Sequence, residues 1–244
     1  MTLKQIYKTL DAISPFELQE KWDNSGLIVG DMSREVSQII LSLDIDNQMI
    51  DETQEGTLFL VHHPLIFGKL TQLDFSKYPS NLIEKMILKK QSLIAMHTNF
   101  DKTHLNKYVF EKVLGFTMER KTDFICAAKV DFTYKGLLRH LKEKFNLPTL
   151  KVVGKKDKIA SIALCTGAGA SLIDEVDAEC FLTGDIKYHD AMKAMSEDLM
   201  MVDIGHYESE QFFAEILLEE LKVLPILVII ANSKNPFHTQ MYEV

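Results

Sequence analysis

The chain has 244 residues, of which 46% are hydrophobic and 25% are charged, so it can build one large core or two smaller ones. Its net charge of −8 argues against binding to nucleic acid, which requires a basic surface. The most apolar tract, residues 221–231, is far shorter than the roughly 20 residues that span a bilayer, so we expect no membrane insertion.

Strand-like and helix-like segments alternate along the whole chain. Predicted strands lie at residues 38–43, 57–61, 92–96, 124–130, 159–165, 180–183, 199–204 and 226–231. Segments of helical period lie at residues 80–89, 105–114, 134–145, 186–195 and 209–221. This alternation predicts the three-layer α/β class, with mainly parallel sheets and helices on their faces.

A polar run at residues 115–123 predicts a boundary between two α/β lobes. We assign residues 1–122 to the first lobe and residues 123–223 to the second. The polar segment 151–158 is interpreted as a hairpin or loop within the second lobe. Residues 224–244 either complete the first lobe or follow the second, and the sequence leaves both arrangements open.

The first ten residues lack the basic start and apolar stretch of a signal peptide. The three cysteines, Cys126, Cys165 and Cys180, lie in apolar segments without C-x-x-C spacing. This pattern is typical of buried thiols in a reducing compartment rather than of disulfides or a zinc knot. We therefore expect a cytoplasmic protein.

Three predicted strands end in residue types that bind metal ions. In open α/β sheets, ligands bind beyond the carboxyl ends of the strands, so such residues are expected to converge at one edge. The residues at these ends are, in chain order, His62-His63-Pro64, His97 with Asp101, and His206 with Glu210.

Each of these motifs has a second interpretation. His62 and His63 point to opposite sides of an extended chain and could serve two ions, or they could be ordinary polar residues at a strand end. Asp101 could be a ligand, the N-cap of a helix that begins near residue 102, or both. His97 could be a ligand or could orient one.

His206 and Glu210 are four residues apart, so a helix that begins near residue 207 or 208 would place them on one face. The alternative is a capping arrangement, in which the helix dipole stabilises the carboxylates and His206 is exposed to solvent. All these donors are nitrogen or oxygen without thiolate. That set favours catalytic Zn, Mn, Fe, Co or Ni over a structural zinc site.

Residues 165–171 form a glycine-containing turn after a predicted strand. Leu172 stands where a dinucleotide-binding motif requires its third glycine, and the P-loop lysine is missing. The turn could still present backbone N–H groups to phosphate, with Gly167 and Gly169 as the candidates, or it could be an ordinary tight turn.

Six motifs in this order resemble the GTP cyclohydrolase I type 2 family, also called the NIF-three-like family. The resemblance covers nearly the entire chain. The motifs are Trp22-Asp23-Asn24-Ser25-Gly26-Leu27, Val61-His62-His63-Pro64, His97-Thr98-Asn99-Phe100-Asp101, Thr183-Gly184-Asp185 with Tyr188-His189-Asp190, Gly205-His206 with Ser209-Glu210, and Asn235-Pro236-Phe237.

The resemblance implies a two-lobed α/β protein with a metal site between the lobes, assembled into a toroidal homohexamer. It implies two divalent ions, with ligands that map onto His62, His63, Asp101, His206 and Glu210. It also implies the short form of the family, without an inserted domain. The segment after Asp101 departs from the glycine pair that is usual in the family.

The activity implied by the resemblance is GTP cyclohydrolase I, a step of folate and pterin biosynthesis. Water activated by the ions would attack C8 of guanine, formate would leave, and dihydroneopterin triphosphate would form. Residue type and position suggest His189, His97 and Glu208 as proton shuttles, and Lys187 as a phosphate contact. The alternatives are a two-metal phosphatase or phosphodiesterase, and a metal-binding interaction protein without catalysis.

Overall fold

The computed structural model describes residues 1–231 and 233–238. The chain divides into two units, each built around its own β-sheet. The first unit comprises Met1–Thr103 and Phe213–Ser233, and the second comprises His104–Phe212 together with residues 234–238.

These bounds differ from the predicted lobes, which were divided after residue 122. Residues 104–122 group with the second unit because Phe110 packs on Phe116, which in turn contacts Phe132 and His140. Residues 213–221 group with the first unit, where Phe213 packs against aromatic rings at 5.1 Å. Contacts of this kind between aromatic side chains leave no signal in the polarity of the local sequence.

The elements of the first unit begin with a helix that is fixed by a capping box between Thr2 and Gln5. In chain order they are α1 (Leu3–Ile13), a 3₁₀ turn (Phe16–Leu18), β1 (Gly26–Val29), β2 (Gln38–Ser42), α2 (Asn47–Glu52), β3 (Thr57–Val61), α3 (Ser80–Leu88), β4 (Ser92–Ala95), α4 (Thr98–Phe100), the start of a π-helical turn (Asp101–Leu105), α9 (Phe213–Leu221) and β11 (Val228–Ile230).

The sheet of the first unit has the order β1-β4-β3-β2-β11. Its pairings are parallel from β4 to β11, and only the edge strand β1 is antiparallel. Every residue of β3 and β4 is buried, which requires cover on both faces. On one face Phe59 and Leu93 pack with Ile50 of α2 and Leu82 of α3. The parallel prediction is confirmed for this sheet.

The second unit starts with further helical turns and continues through six strands. Its elements are α5 (Asn106–Tyr108), a second π-helical turn (Val109–Val113), β5 (Arg120–Lys121), β6 (Cys126–Thr133), α6 (Tyr134–Phe145), β7 (Lys151–Val153), β8 (Lys158–Leu164), a 3₁₀ helix (Ala170–Glu175), β9 (Cys180–Thr183), α7 (Tyr188–Ser196), β10 (Met200–Asp203) and α8 (His206–Glu210).

The sheet of the second unit has the order β5-β6-β8-β9-β10-β7 and is mixed. Its centre, β8-β9-β10, is parallel, whereas β5 with β6, β6 with β8, and β7 with β10 pair antiparallel. The expectation of a mainly parallel sheet is therefore wrong for this unit. At one edge of the sheet, the antiparallel pairing arises because β7 pairs with β10 and does not form a hairpin with β8. The mixed α/β class with two sheets is confirmed.

The three cysteines are buried and form no disulfide, as predicted from their apolar surroundings. Burial raises the pKa of Cys126 to about 11 and the pKa of Cys180 to about 12, so both remain protonated at neutral pH. Among the described residues, the helices are all too short or too polar to cross a membrane.

Candidate metal centre

His62 and His63 follow β3 directly, where the chain turns off the strand. Both backbone N–H groups donate to the carbonyl oxygen of Leu43 at 3.1 Å, which fixes the turn. The side chain of His62 is fully buried, and that of His63 is partly buried. A strand end in a parallel sheet thus holds two adjacent imidazoles on a rigid support.

The ring of His62 is fixed by the backbone of the neighbouring strand end. Its Nδ1 lies 2.9 Å from the carbonyl oxygen of Met96, and a carbonyl can only accept, so Nδ1 carries the proton. The Nε2 atom therefore carries the lone pair, and it lies 3.5 Å from Oδ1 of Asp101. An imidazole and a carboxylate are thereby directed at one another.

Two further imidazoles of the first unit are fixed by carboxylates. His63 Nδ1 donates to Asp44 Oδ1 at 2.9 Å, and His97 Nδ1 donates to Asp23 Oδ1 at 2.8 Å. In the group formed by His62, His63 and His97, one ligand atom from each residue lies within 4.8 Å of the others. The residues that follow the predicted strands were expected to lie close together, and these three histidines do lie close together in this unit.

Asp23 is the centre of a hydrogen-bond network that positions His97. Its carboxylate also accepts from the backbone N–H of Asn24 at 2.7 Å, from Ser25 Oγ at 3.0 Å, and from both the N–H and the hydroxyl of Thr98. Burial alone would raise the pKa of Asp23, but the hydrogen bonds and charge of His97 and the bonds from Thr98 and Asn24 lower it well below its usual range.

Asp101 lies within a helical segment that begins at Thr98, so it is not the N-cap of a helix near residue 102. Its backbone N–H donates to the carbonyl oxygen of His97 at 3.0 Å, and a π-helical turn starts at Asp101 itself. π-Helical turns are uncommon and occur frequently at functional sites. The carboxylate of Asp101 is mostly buried.

In the second unit, α8 begins at His206 and ends at Glu210. The i,i+4 spacing brings His206 Nε2 to 2.9 Å from Glu210 Oε2, as the sequence predicted. His206 Nδ1 lies 2.8 Å from Asp185 Oδ2, so the same ring is held at both nitrogens. Glu210 is 3% exposed, whereas a carboxylate that only caps a helix would face solvent.

The turn at Gly167 packs directly on this pair. Its backbone N–H donates to Ser209 Oγ at 3.0 Å, and its φ of +61° is one that glycine adopts readily. A Cβ at this position would overlap the Glu210 carboxylate. The glycine therefore permits close approach to a buried acidic ligand candidate.

This geometry argues against the phosphate-anchoring role that was predicted for Gly167 and Gly169. The N–H of Gly167 is used by Ser209, and the N–H of Gly169 donates to Thr183 Oγ1 at 2.8 Å. Both backbone N–H groups are therefore already used in hydrogen bonds within the protein. The alternative interpretation, a tight turn after the strand, describes these residues better.

The other residues singled out in the sequence occupy more exposed positions. His189 and Lys187 are exposed at the start of α7. Glu208 is partly buried, and its Oε1 accepts from Asn235 Nδ2 at 2.8 Å. A Cβ on Gly205 would overlap the Glu208 carboxylate, so this side chain lies against the backbone of the turn before α8.

The four histidines at the strand ends share one property that suits metal binding. Each Nδ1 lies against an oxygen acceptor, so Nε2 is the nitrogen that would face a metal ion if one were bound. Imidazoles that bind metal ions almost always show this arrangement. The nitrogen–oxygen separations of 3.5 Å in the first unit and 2.9 Å in the second also bracket the spacing of about 3.3 Å expected for two ligands of one tetrahedral ion.

Sequence reasoning missed the residues that orient these histidines, namely Asp23, Asp44 and Asp185. A signal was present for two of them, because Asp23 and Asp185 lie inside motifs of the resemblance. Asp44 follows β2 by two residues, and the rule that functional residues collect at strand ends could have found it.

Comparison with known proteins gives a consistent result. A family model described as Duf34/NIF3 (NGG1p interacting factor 3) matches residues 1–236. A Campylobacter jejuni protein named GTP cyclohydrolase 1 type 2 homolog is 48% identical, with 97% of this chain and 99% of that protein covered. A Helicobacter pylori protein named GTP cyclohydrolase 1 type 2 is 42% identical, with 96% and 97% covered. A crystal structure of a Staphylococcus aureus protein is similar with a TM-score of 0.86 and 25% identity, covering 98% of this chain and 99% of that one.

Proposed function

The chain belongs to the Duf34/NIF3 family, and on that premise we propose that it is a metal-dependent hydrolase that converts GTP and water to formate and dihydroneopterin triphosphate. The observation that carries the metal-dependent part is the set of histidines whose Nδ1 atoms are held by oxygen acceptors. The choice of GTP is supported by the names of the Campylobacter jejuni and Helicobacter pylori relatives.

The proposed ligands are His62, His63, Asp101, His206 and Glu210, the set implied by the family resemblance. Two divalent ions are proposed, and Zn, Mn, Fe, Co and Ni all suit nitrogen and oxygen donors. In the first unit, the assignment is supported by the 3.5 Å distance between His62 Nε2 and Asp101 Oδ1. In the second unit, it is supported by the 2.9 Å distance between His206 Nε2 and Glu210 Oε2.

Divalent ions at these residues would lower the pKa of a bound water molecule from 15.7 to about 7. They would thereby provide hydroxide as a nucleophile at neutral pH. The residues of the chain then have to orient the ligands and move protons. Asp23 holds His97 by its Nδ1 and stabilises positive charge on that ring, which suits His97 to accept a proton at Nε2. We propose His97 as the proton acceptor for the attack on C8 of guanine.

His189 and Glu208 remain candidates for the later proton transfers, and Lys187 for a phosphate contact. Lys187 is exposed, so its side chain is accessible to a phosphate group from solvent. A remote contact of this kind is present in both ground and transition states. Lys187→Ala should therefore raise KM for GTP more than it lowers kcat.

Product analysis tests the reaction. Metal-loaded protein should release formate from GTP and form a pterin that fluoresces after oxidation, a chelator should abolish both, and a divalent ion should restore them. Release of inorganic phosphate from GTP and ATP alike would overturn the proposal in favour of a two-metal phosphatase. A metal-loaded protein that leaves nucleotides unchanged would overturn the assignment as an enzyme and favour a metal-binding interaction protein.

We also propose that the protein is a cytoplasmic homohexamer, because the family resemblance implies that assembly. Light scattering at micromolar concentration should then give a mass several times the 27.9 kDa of one chain. A monodisperse monomer would contradict the assembly and leave the metal-site assignment to be judged on its own measurements.

A further inference from the structure

Two large aromatic side chains lie exposed beside the imidazole cluster of the first unit. Trp22 is 61% exposed and Phe67 is 55% exposed, and Trp22 is the only tryptophan of the chain. Single exposed apolar residues are common on protein surfaces, but these two rings contact each other and both lie next to His97.

The two rings are arranged around His97. The ring centroid of Trp22 lies 6.0 Å and that of Phe67 5.5 Å from the His97 ring, and both meet it edge-on at 76° and 84°. Trp22 and Phe67 are themselves close to parallel, with an interplanar angle of 23° and a centroid separation of 6.3 Å. Beside His97 the molecule therefore carries two exposed aromatic rings whose planes have similar orientations.

The residues that follow Trp22 are fixed by hydrogen bonds. The N–H of Asp23 donates to the carbonyl oxygen of Glu20 at 3.0 Å, and the Asp23 carboxylate is held by the network around His97. Asn24 Nδ2 donates to the carbonyl oxygen of Ile66 at 2.9 Å, which ties the Trp22 segment to the residue before Phe67. Both rings are thus carried by backbone that is fixed in place.

We propose that Trp22 and Phe67 form a stacking platform for the purine base of the nucleotide substrate. The proposal rests on the proposed function and adds the residues that recognise the base. Aromatic faces bind planar heteroaromatic rings by stacking, which needs no charge. Neutral contacts suit a chain of net charge −8, which has little positive charge to attract a triphosphate. A base on this platform lies next to His97 and the other imidazoles.

The single tryptophan provides a direct probe of this contact. Titration of GTP or guanosine monophosphate into the metal-loaded protein should change the Trp22 fluorescence to saturation, and inorganic tripolyphosphate should leave it unchanged. ATP should act like GTP, because stacking is tolerant of base identity. An equal response to tripolyphosphate, or no response to any nucleotide that calorimetry shows to bind, would overturn the proposal.

Variants test the energetic contribution of each ring. Trp22→Leu and Phe67→Leu should each weaken GTP binding, measured by calorimetry, about 5- to 150-fold. Tripolyphosphate binding and metal content should remain those of the wild type. Trp22→Phe should restore most of the affinity, because it restores an aromatic face. Phe75→Leu is the matched control, since Phe75 is also exposed, at 45%, and should bind GTP normally.

The outcomes separate this proposal from the reaction. Base-dependent binding that is lost in Trp22→Leu supports the platform even if the wild type releases no formate, in which case only the cyclohydrolase assignment fails. Wild-type GTP affinity in both leucine variants overturns the platform even if formate is released. A change of molecular mass in these variants without a change in GTP affinity overturns it as well, and identifies the rings as a contact between copies of the chain.

Discussion

At the scale of single residues, the acceptor at Nδ1 decides what each histidine can do. A neutral imidazole has one N–H and one lone pair, so an oxygen at Nδ1 forces the lone pair to Nε2. For His62 the acceptor is a backbone carbonyl, whereas for His63, His97 and His206 it is a carboxylate. A carboxylate at Nδ1 also raises the basicity of the imidazole, so its Nε2 binds a metal ion more strongly.

The orienting carboxylates lead to a first prediction. Asp44→Asn and Asp185→Asn keep the size of the side chain but remove its charge, so His63 and His206 should bind metal less well. Affinity for a divalent ion, measured by competition with a chelating dye, should fall about 10- to 100-fold in each variant. Asp174→Asn, which removes an exposed partner of Lys193, is the control. Unchanged affinity in both test variants would show that these carboxylates do not support ligands.

Asp23 leads to a prediction about pH. Its pKa in the folded protein lies below the ordinary value of 3.8, so its carboxylate stabilises the fold above that pH, and the contribution is lost as pH falls through 3.8 towards the folded value. In chelator, urea unfolding of Asp23→Asn should show a loss of about 1–3 kcal/mol at pH 7, and a smaller loss at pH 3.

The matched control for Asp23 is Asp157→Asn, because the Asp157 side chain is 95% exposed. This variant should unfold like the wild type at both pH values. A loss in Asp23→Asn that is the same at pH 7 and pH 3 would mean that the charge of the carboxylate is not what stabilises the network.

At the scale of elements, the rigid parts are strand ends and short helix starts. The sequence predicted β3, β4 and β10 and the residues that follow them, because apolar runs that end in histidine are visible locally. It did not reveal Asp23 as a partner of His97, since 74 residues separate them and only the fold brings them together. Partners across such distances follow from strand order, which local pattern does not encode.

The turn at Gly167 leads to a prediction at this scale. Gly167→Ala would place a methyl group into the Glu210 carboxylate and should displace this proposed ligand, so metal content should fall sharply. Gly115→Ala is a close control, because Gly115 has a similar φ of +76° and open space around a Cβ.

Both substitutions should cost about 1 kcal/mol through backbone strain, and Gly167→Ala should cost more because its methyl group also displaces the buried Glu210 carboxylate. Urea unfolding in chelator measures both costs. Only Gly167→Ala should lose metal, which elemental analysis measures. Normal metal content in Gly167→Ala would show that the Glu210 carboxylate can move without consequence, and would contradict its assignment as a ligand.

At the scale of the whole molecule, the alternation of strands and helices was sufficient to predict the α/β class and the presence of two sheets. It was insufficient for the second sheet, where β6 and β7 pair antiparallel with strands that are not their neighbours in the chain. It also did not show that α9 and β11 join the first unit, although Val228–Ile230 reads clearly as a strand. Apolar pattern predicts an element but not its neighbour.

The assignment of metal ligands is the claim on which the proposed reaction depends, and elemental analysis tests it most directly. The wild type, His62→Ala and Glu210→Ala are each equilibrated with one divalent ion and freed of excess by gel filtration, with circular dichroism to verify folding. His238→Ala serves as the control, because His238 is exposed.

We expect the wild type and His238→Ala to retain the ion, and both ligand variants to retain far less while remaining folded, since each loses a donor held on a rigid element. Wild-type metal content in folded His62→Ala and Glu210→Ala would contradict the account.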